Sequence, residues 1–220
     1  QNVFRQCVRG GKRFKRFGKG FGQNRGGVRF FHSFKGGKKL DREKVIDAVK
    51  QLLEALGEDT SREGLKETPR RVADAYAELL SGEGKTAEEH LSRTFESDCG
   101  DMVVERDIYF SSTCEHHLMP FFGKIAIAYI PDGKVVGLSK LARTVDVFAR
   151  RLQLQERLTV QIAREIMRCL KPKGVFVVCE AEHTCMTCRG VKKAGSVTVT
   201  SCMLGEFGED RRREVLRLLK

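Results

Sequence analysis

The sequence has no tryptophan, only four prolines, and no acidic residue in its first 40 positions. No apolar run approaches the roughly 20 residues that a membrane-crossing helix needs, so composition gives no membrane-spanning class. The phosphate-cradling pattern GxxxxGK[ST] is missing, which excludes an ordinary P-loop nucleotide hydrolase. No internal repeat is present. Eight cysteines occur, but the chain is longer than a disulfide-stapled secreted domain and has no apolar leader. The expectation is a reducing, cytoplasmic setting with most thiols free and a subset on a metal.

The missing acids locate the charge. The first 40 residues hold 12 of the 41 Lys and Arg, which leaves 29 basic side chains to balance 29 acidic ones in the rest. The net charge of +12 therefore belongs to the N-terminal segment and implies no nucleic-acid binding by the folded part. Residues 1–39 also carry seven of the 14 phenylalanines and glycine pairs such as Gly10-Gly11 and Gly26-Gly27. They read as a disordered basic tail. A removable targeting peptide with organellar import and a nucleic-acid-contacting arm are the alternatives.

What is present after residue 40 is patterned. Val45, Ile46, Val49, Leu52, Leu53 and Leu56 take helical spacing up to Gly57. Thr68-Pro69 reads as N-cap and first residue of a second helix striped by Val72, Ala75, Tyr76, Leu79 and Leu80. A polar connection with room for one short helix follows to residue 101. Residues 102–110 and 121–130 have strand character, and Pro131-Asp132-Gly133 predicts a hairpin to a short strand at 134–138. Ser139 is the expected N-cap of a helix striped by Leu141, Val145, Phe148 and Leu152; a second runs through Leu158, Ile162, Ile166 and Leu170 to Lys171-Pro172. Strands are expected at 175–185 and 196–204, and a last helix at 210–219. The order predicts an α+β fold: an N-terminal helical pair, then an antiparallel sheet with packed helices.

Two compact clusters stand out, Cys114-Glu115-His116-His117 and His183-Thr184-Cys185-Met186-Thr187-Cys188. Thiolate and neutral imidazole are the preferred ligands of zinc. Period-two spacing would set His183 beside Cys185, and Cys114 beside His116 if its strand runs that far. Spacing alone leaves the ligand set open. Cys185 and Cys188 could serve a closed structural site or a redox pair, whereas a catalytic zinc needs about three protein ligands and an open position. Spare histidines would then be free for proton transfer.

A third constellation opens a helix: Ser139, Lys140 and Arg143, with the two cations in its first turn where the helix dipole disfavours them. Such a placement is tolerable on a solvated face, and it is also what a phosphate site needs. Arg189, just past the second cluster, could join the same anion. Gln155-Glu156-Arg157 precedes the next helix, and a carboxylate there suits the paired N–H edge of guanine or simply the helix dipole.

Taken together these strings resemble type I GTP cyclohydrolase. The resemblance rests on Ser112-Thr113-Cys114-Glu115-His116-His117, Tyr129-Ile130-Pro131, Gly137-Leu138-Ser139-Lys140, Gln155-Glu156-Arg157-Leu158-Thr159, His183-Thr184-Cys185-Met186 and Arg189-Gly190, and it runs from about Asp41 to the C-terminus. It implies the tunnelling fold, in which subunits pool antiparallel sheets into a barrel with helices outside. It further implies a homodecamer of two pentamers, with active sites at subunit junctions. It implies zinc on Cys114, His117 and Cys185, and acid–base roles for His116 and His183. Substrate binding would fall to Glu156 and Gln155 for the base, and to Ser139, Lys140, Arg143 and Arg189 for the triphosphate, with Arg71 reaching in from a neighbouring subunit.

The implied reaction opens the imidazole ring of GTP at C8, releases formate and gives 7,8-dihydroneopterin triphosphate, the first step of folate and pterin biosynthesis. The implied layout is a tail at 1–39 and a catalytic domain at 40–220, divided into a helical part, 40–101, and a tunnelling-fold part, 102–220. Two rivals remain at this stage: a sister tunnelling-fold enzyme on another pterin or purine, and a non-catalytic zinc module with a basic nucleic-acid-binding arm. Two features depart from the family pattern. Cys188 stands where an apolar residue is more usual and is a competing thiolate, and the basic tail has no counterpart in the family core.

Overall fold

A computed structural model describes residues 40–98 and 100–219. The basic tail at 1–39 lies outside the described residues. From residue 42 the chain runs through α1 (Arg42–Ala55), α2 (Glu63–Lys66), α3 (Thr68–Leu79) and α4 (Glu88–Leu91). It continues through β1 (Thr94–Glu96), β2 (Val103–Cys114), β3 (Pro120–Ile130), β4 (Lys134–Val136), α5 (Leu138–Ala149), β5 (Leu152–Gln153) and α6 (Gln155–Leu170). Then come β6 (Gly174–His183), α7 (Thr184–Thr187), β7 (Val197–Gly205) and α8 (Glu209–Leu218).

The main sheet has five strands in the order β5-β2-β3-β6-β7. Its long neighbours are antiparallel, while the two-residue β5 lies parallel to the end of β2. Helices α5 and α6 cover one face. Alternation on the strands supplies the core there: Phe121, Ile125, Ile127 and Tyr129 from β3, and Val175, Val177, Cys179 and Ala181 from β6, packed on Leu141, Val145, Leu158, Ile162 and Ile166. Each such fully buried aliphatic side chain contributes about 1.5–3 kcal/mol. A smaller cluster on the other face joins Ala128, Ile130, Phe176 and Val178 to Phe207 and Val215 of the C-terminal segment.

The α+β class and antiparallel sheet match the sequence reading, and five local expectations do not. The first is Leu152, expected on a helix stripe: α5 ends at Ala149, and Leu152 lies in β5, paired with Thr113. Pro131-Asp132-Gly133 does turn the chain, but β4 pairs with β1 in a separate two-stranded sheet, so β3 and β4 form no hairpin. The tertiary partner overrides the local signal, helped by the Val136 N–H donating to the hydroxyl of buried Tyr129 at 3.3 Å. Thr68 lies inside α3, where its hydroxyl donates back to the Gly64 carbonyl at 3.3 Å, and Glu67 holds the cap position. Ser139 likewise lies inside α5 behind Gly137. β2 runs on to Cys114, beyond the expected end at residue 110.

The N-terminal helices α1 and α3 pack on each other. Arg151 fastens the segment after α3 to the end of α5: its buried guanidinium donates to the carbonyls of Gly82, Val147 and Lys85 at 3.1, 2.9 and 2.7 Å. Burial pushes its pKa down from the usual arginine value. Gly82 is required there, since a Cβ would stand 2.4 Å from the Val147 carbonyl oxygen.

Candidate functional site

Three strand ends meet at one end of the main sheet. β2 stops at Cys114, β3 starts at Pro120, and β6 stops at His183, with Thr113 paired to Pro120 and Phe121 to His183. The loop between β2 and β3 is closed by two backbone bonds, Cys114 N–H to the Met119 carbonyl at 2.8 Å and Leu118 N–H to the Cys114 carbonyl at 2.9 Å. Leu118 adopts φ 55°, the left-handed region. That conformation costs a non-glycine residue roughly 1–2 kcal/mol. The loop is held from outside by the Tyr76 hydroxyl of α3, which donates to the Leu118 carbonyl at 3.1 Å, and by the Glu115 N–H, which donates to the Gln153 carbonyl of β5 at 3.1 Å.

This tight loop brings His117 back over the strand end, its Nδ1 3.9 Å from the buried Cys114 Sγ. From the other side β6 gives way to the single turn α7, which carries Cys185. The Thr184 hydroxyl pins that turn by donating to the Pro120 carbonyl at 2.6 Å. Ligand atoms of Cys114, His117 and Cys185 all lie within 4.8 Å of one another. Burial, and then the neighbouring Cys114, push the Cys185 thiol up, with nearby Arg189 pulling the other way. Two thiols and an imidazole converging this closely are a soft, metal-seeking donor set, and they fit a zinc-type ion. Cys188 is not in the group: it is exposed, and its thiol donates to the Thr184 carbonyl at 2.8 Å.

The period-two pairings are corrected by these turns. Cys114 closes on His117 and not on His116, because its strand ends at the cysteine. His183 and Cys185 do not share a strand face, because β6 ends at His183. His116 stands exposed beside His117, ring to ring at 6.1 Å.

His183 is held in place. Its ring stacks on buried Phe121 with centroids 4.6 Å apart and planes within 4°, and Phe110 meets Phe121 edge-on. Its Nε2 lies 2.8 Å from the Gln155 Oε1. Burial lowers the pKa of His183, and the Glu156 carboxylate is close enough to oppose that shift. Gln155 is buried at the first position of α6, and its Nε2 donates to the carbonyls of Cys179 and Thr198 at 3.0 and 2.9 Å. The carboxamide expected to help hold a base is thus committed to His183 and two backbone carbonyls. Glu156 beside it is exposed.

Next to Cys114 and Glu156, the half-buried Glu115 and Arg157 form an ion pair that ties the metal loop to the start of α6. Ser139, Lys140 and Arg143 occupy the first turns of α5; Ser139 and Arg143 are exposed and Lys140 is half-buried. Arg189 is exposed in the segment after α7. Arg71 is exposed on α3, and no hydrogen bond or ion pair ties its side chain to the cluster. Sequence reasoning missed Tyr76, Phe121 and the Glu115–Arg157 pair, since only the fold sets these against the loop and His183.

Residues 45–220 match the family profile described as GTP cyclohydrolase I. Proteins named GTP cyclohydrolase 1 are similar over most of the chain. That of Clostridium kluyveri is 57% identical over 183 residues, covering 82% of this chain and 99% of that protein. Those of Clostridium perfringens and Streptococcus pneumoniae are 56% and 54% identical over 182 residues, again 82% of this chain and 98% and 99% of theirs. Among solved structures, an apo archaeosine synthase QueF-like chain aligns at TM-score 0.41 and 18% identity over 51% of this chain and all of its own, too distant to bear on the fold. A profile that matches residues 45–220, together with relatives above half identity along nearly their full length, makes this chain a member of the GTP cyclohydrolase I family.

Proposed function

We propose that the chain hydrolytically opens the imidazole ring of GTP at C8, releases formate and yields 7,8-dihydroneopterin triphosphate, the first step of folate and pterin biosynthesis. The observation that carries this reading is the convergence of Cys114, His117 and Cys185 beside a fixed His183, in a chain of this family. Cys114, His117 and Cys185 hold one zinc ion. Bound there, zinc supplies Lewis acidity that lowers the pKa of water toward neutrality.

His183 delivers the proton to N7 of the base as water adds at C8, and His116 assists opening of the ribose. Two waters enter, formate leaves, and closure of the new ring returns one water. Glu156 accepts the paired N–H groups of guanine, and Gln155 acts at one remove, through His183. Ser139, Lys140, Arg143 and Arg189 hold the triphosphate, where the anion reverses the dipole penalty on the two cations at the start of α5. Arg71 reaches the phosphates of a neighbouring subunit.

The same reading carries a layout: a tail at 1–39, a helical part at 40–101 and a tunnelling-fold catalytic part at 102–220. Subunits pool their sheets into a barrel within a decamer of two pentamers, in the cytoplasm. No described helix is long and apolar enough to cross a membrane. The bare edge strand β7, with Val197, Val199 and Met203 exposed, supports pooling of sheets.

Incubation of the zinc-loaded protein with GTP tests the activity. Formate and a fluorescent pterin should appear in equal amounts as guanine absorbance is lost. Unchanged GTP, or a product formed without formate, would overturn the reading.

A further inference from the structure

A glutamine amide next to a histidine usually leaves two questions open, which way the amide points and which ring nitrogen carries the proton. Here the surroundings answer both. The Gln155 side chain faces two backbone carbonyls, Cys179 at 3.0 Å and Thr198 at 2.9 Å. Carbonyl oxygens only accept, so the NH2 end must face them. The amide oxygen is then the end turned to His183, 2.8 Å from Nε2. An amide oxygen only accepts as well, so Nε2 must carry hydrogen.

We propose that Gln155 is a positioning residue that fixes His183 as its Nε2–H form and leaves Nδ1 as the nitrogen that exchanges a proton with the substrate. This rests on the reading of His183 as an acid–base group. Among the described residues no hydrogen bond engages Nδ1. The other freedoms of the ring are removed by the stack on Phe121, which sets its plane, and by the Phe121–His183 strand pairing, which sets its height. Gln155 is itself 2% exposed, so water does not compete for its three bonds. The two carbonyls belong to the interior strand β6 and the edge strand β7, so the amide reads the spacing of those strands and passes it to the histidine.

The test joins a spectrum and a kinetic split. Protein labelled with ¹⁵N in histidine should show neutral His183, assigned by its loss in His183→Asn, with hydrogen on Nε2 and not on Nδ1. Gln155→Met, near in length but without the amide, should mix the two forms. In turnover, Gln155→Met should lower kcat by about 10²-fold, the scale of a catalytic group misplaced by about 1 Å, with KM within about threefold. In a His183→Asn background the same substitution should cost nothing further, because Gln155 acts only through that ring.

A wild-type ring protonated on Nδ1 would overturn the proposal even if Gln155→Met failed to fold. So would a raised KM with unchanged kcat, which would make Gln155 a base-holding residue. If the wild type released no formate from GTP, the proposed activity would fall, and the nitrogen spectrum would still decide the role of Gln155.

Discussion

The chain contains two helix pairs with apolar stripes of the same kind, and the chain buries only one of them. α6 sinks Leu158, Thr159, Ile162, Ala163, Ile166 and Leu170 against the sheet, and α5 does the same with Leu141, Val145 and Phe148. α1 buries nothing, and α3 only Pro69 and Ala73. Leu52 and Leu56 stand 57% and 69% exposed. The difference teaches where chemistry can be built. The base constellation starts on α6, whose first turn is anchored to His183 and β6 through Gln155. α5 instead meets the sheet end that holds Cys114 with its last turn, where the Ala149 carbonyl accepts from the Ser112 hydroxyl. Among the described residues, the hydrogen bond from the exposed pair to the metal loop is that of the Tyr76 hydroxyl on the Leu118 carbonyl.

The comparison can be broken most sharply at the metal cluster. Alanine at Cys114, His117 or Cys185 should remove both metal and turnover, whereas Cys188→Ala should keep both. Tyr76→Phe, which cuts that hydroxyl contact from the exposed pair, should keep the metal and cost about 0.5–1.5 kcal/mol of stability. Zinc analysis of the purified variants decides, and metal loss in Tyr76→Phe equal to that in Cys185→Ala would mean that α3 belongs to the site.

Stability separates the pairs next. Ile162→Ala should cost about 2–5 kcal/mol in denaturant unfolding. Leu56→Ala at the C-cap of α1 should stay within about 0.5 kcal/mol. An equal cost at Leu56 would show that something outside the chain covers its stripe, as a second copy would in the proposed assembly.

The phosphate assignment predicts a smaller, selective effect. Arg143→Ala should weaken GTP binding about tenfold, the loss of one charge-assisted hydrogen bond, and leave guanosine binding almost unchanged. Equal losses for both ligands would make Arg143 a support of the fold.

The smallest effect concerns thiols. Burial pushes Cys179, under α6, up to about 12, with Thr159, Thr200 and Gln155 opposing. At pH ~8 its thiolate is then roughly one part in ten thousand. Cys188 is exposed. Peptide mapping after brief alkylation should find Cys188 capped and Cys179 intact, with Cys179 reacting only on unfolding.

The long elements and the clusters were legible in the sequence because each carries a local signal: a helical stripe, a branched strand, or a Cys and His pair. What was illegible is set by partners far along the chain. β1 and β5 are three and two residues long and exist only through β4 and the end of β2. The choice between His116 and His117 turns on Leu118 at φ 55°, which no leucine announces. The commitment of Gln155 to His183 needs α6, β6 and β7 in one place. Residue types gave the donor set, the family resemblance the choice among donors, and the turns their actual convergence.

The central claim is that Cys114, His117 and Cys185, and not Cys188, are the protein ligands of one zinc ion. X-ray absorption at the zinc edge of the purified protein tests it most directly. The account predicts two sulfur ligands at about 2.3 Å and one imidazole nitrogen at about 2.0–2.1 Å. Three sulfurs, or a protein that retains no zinc, would contradict it.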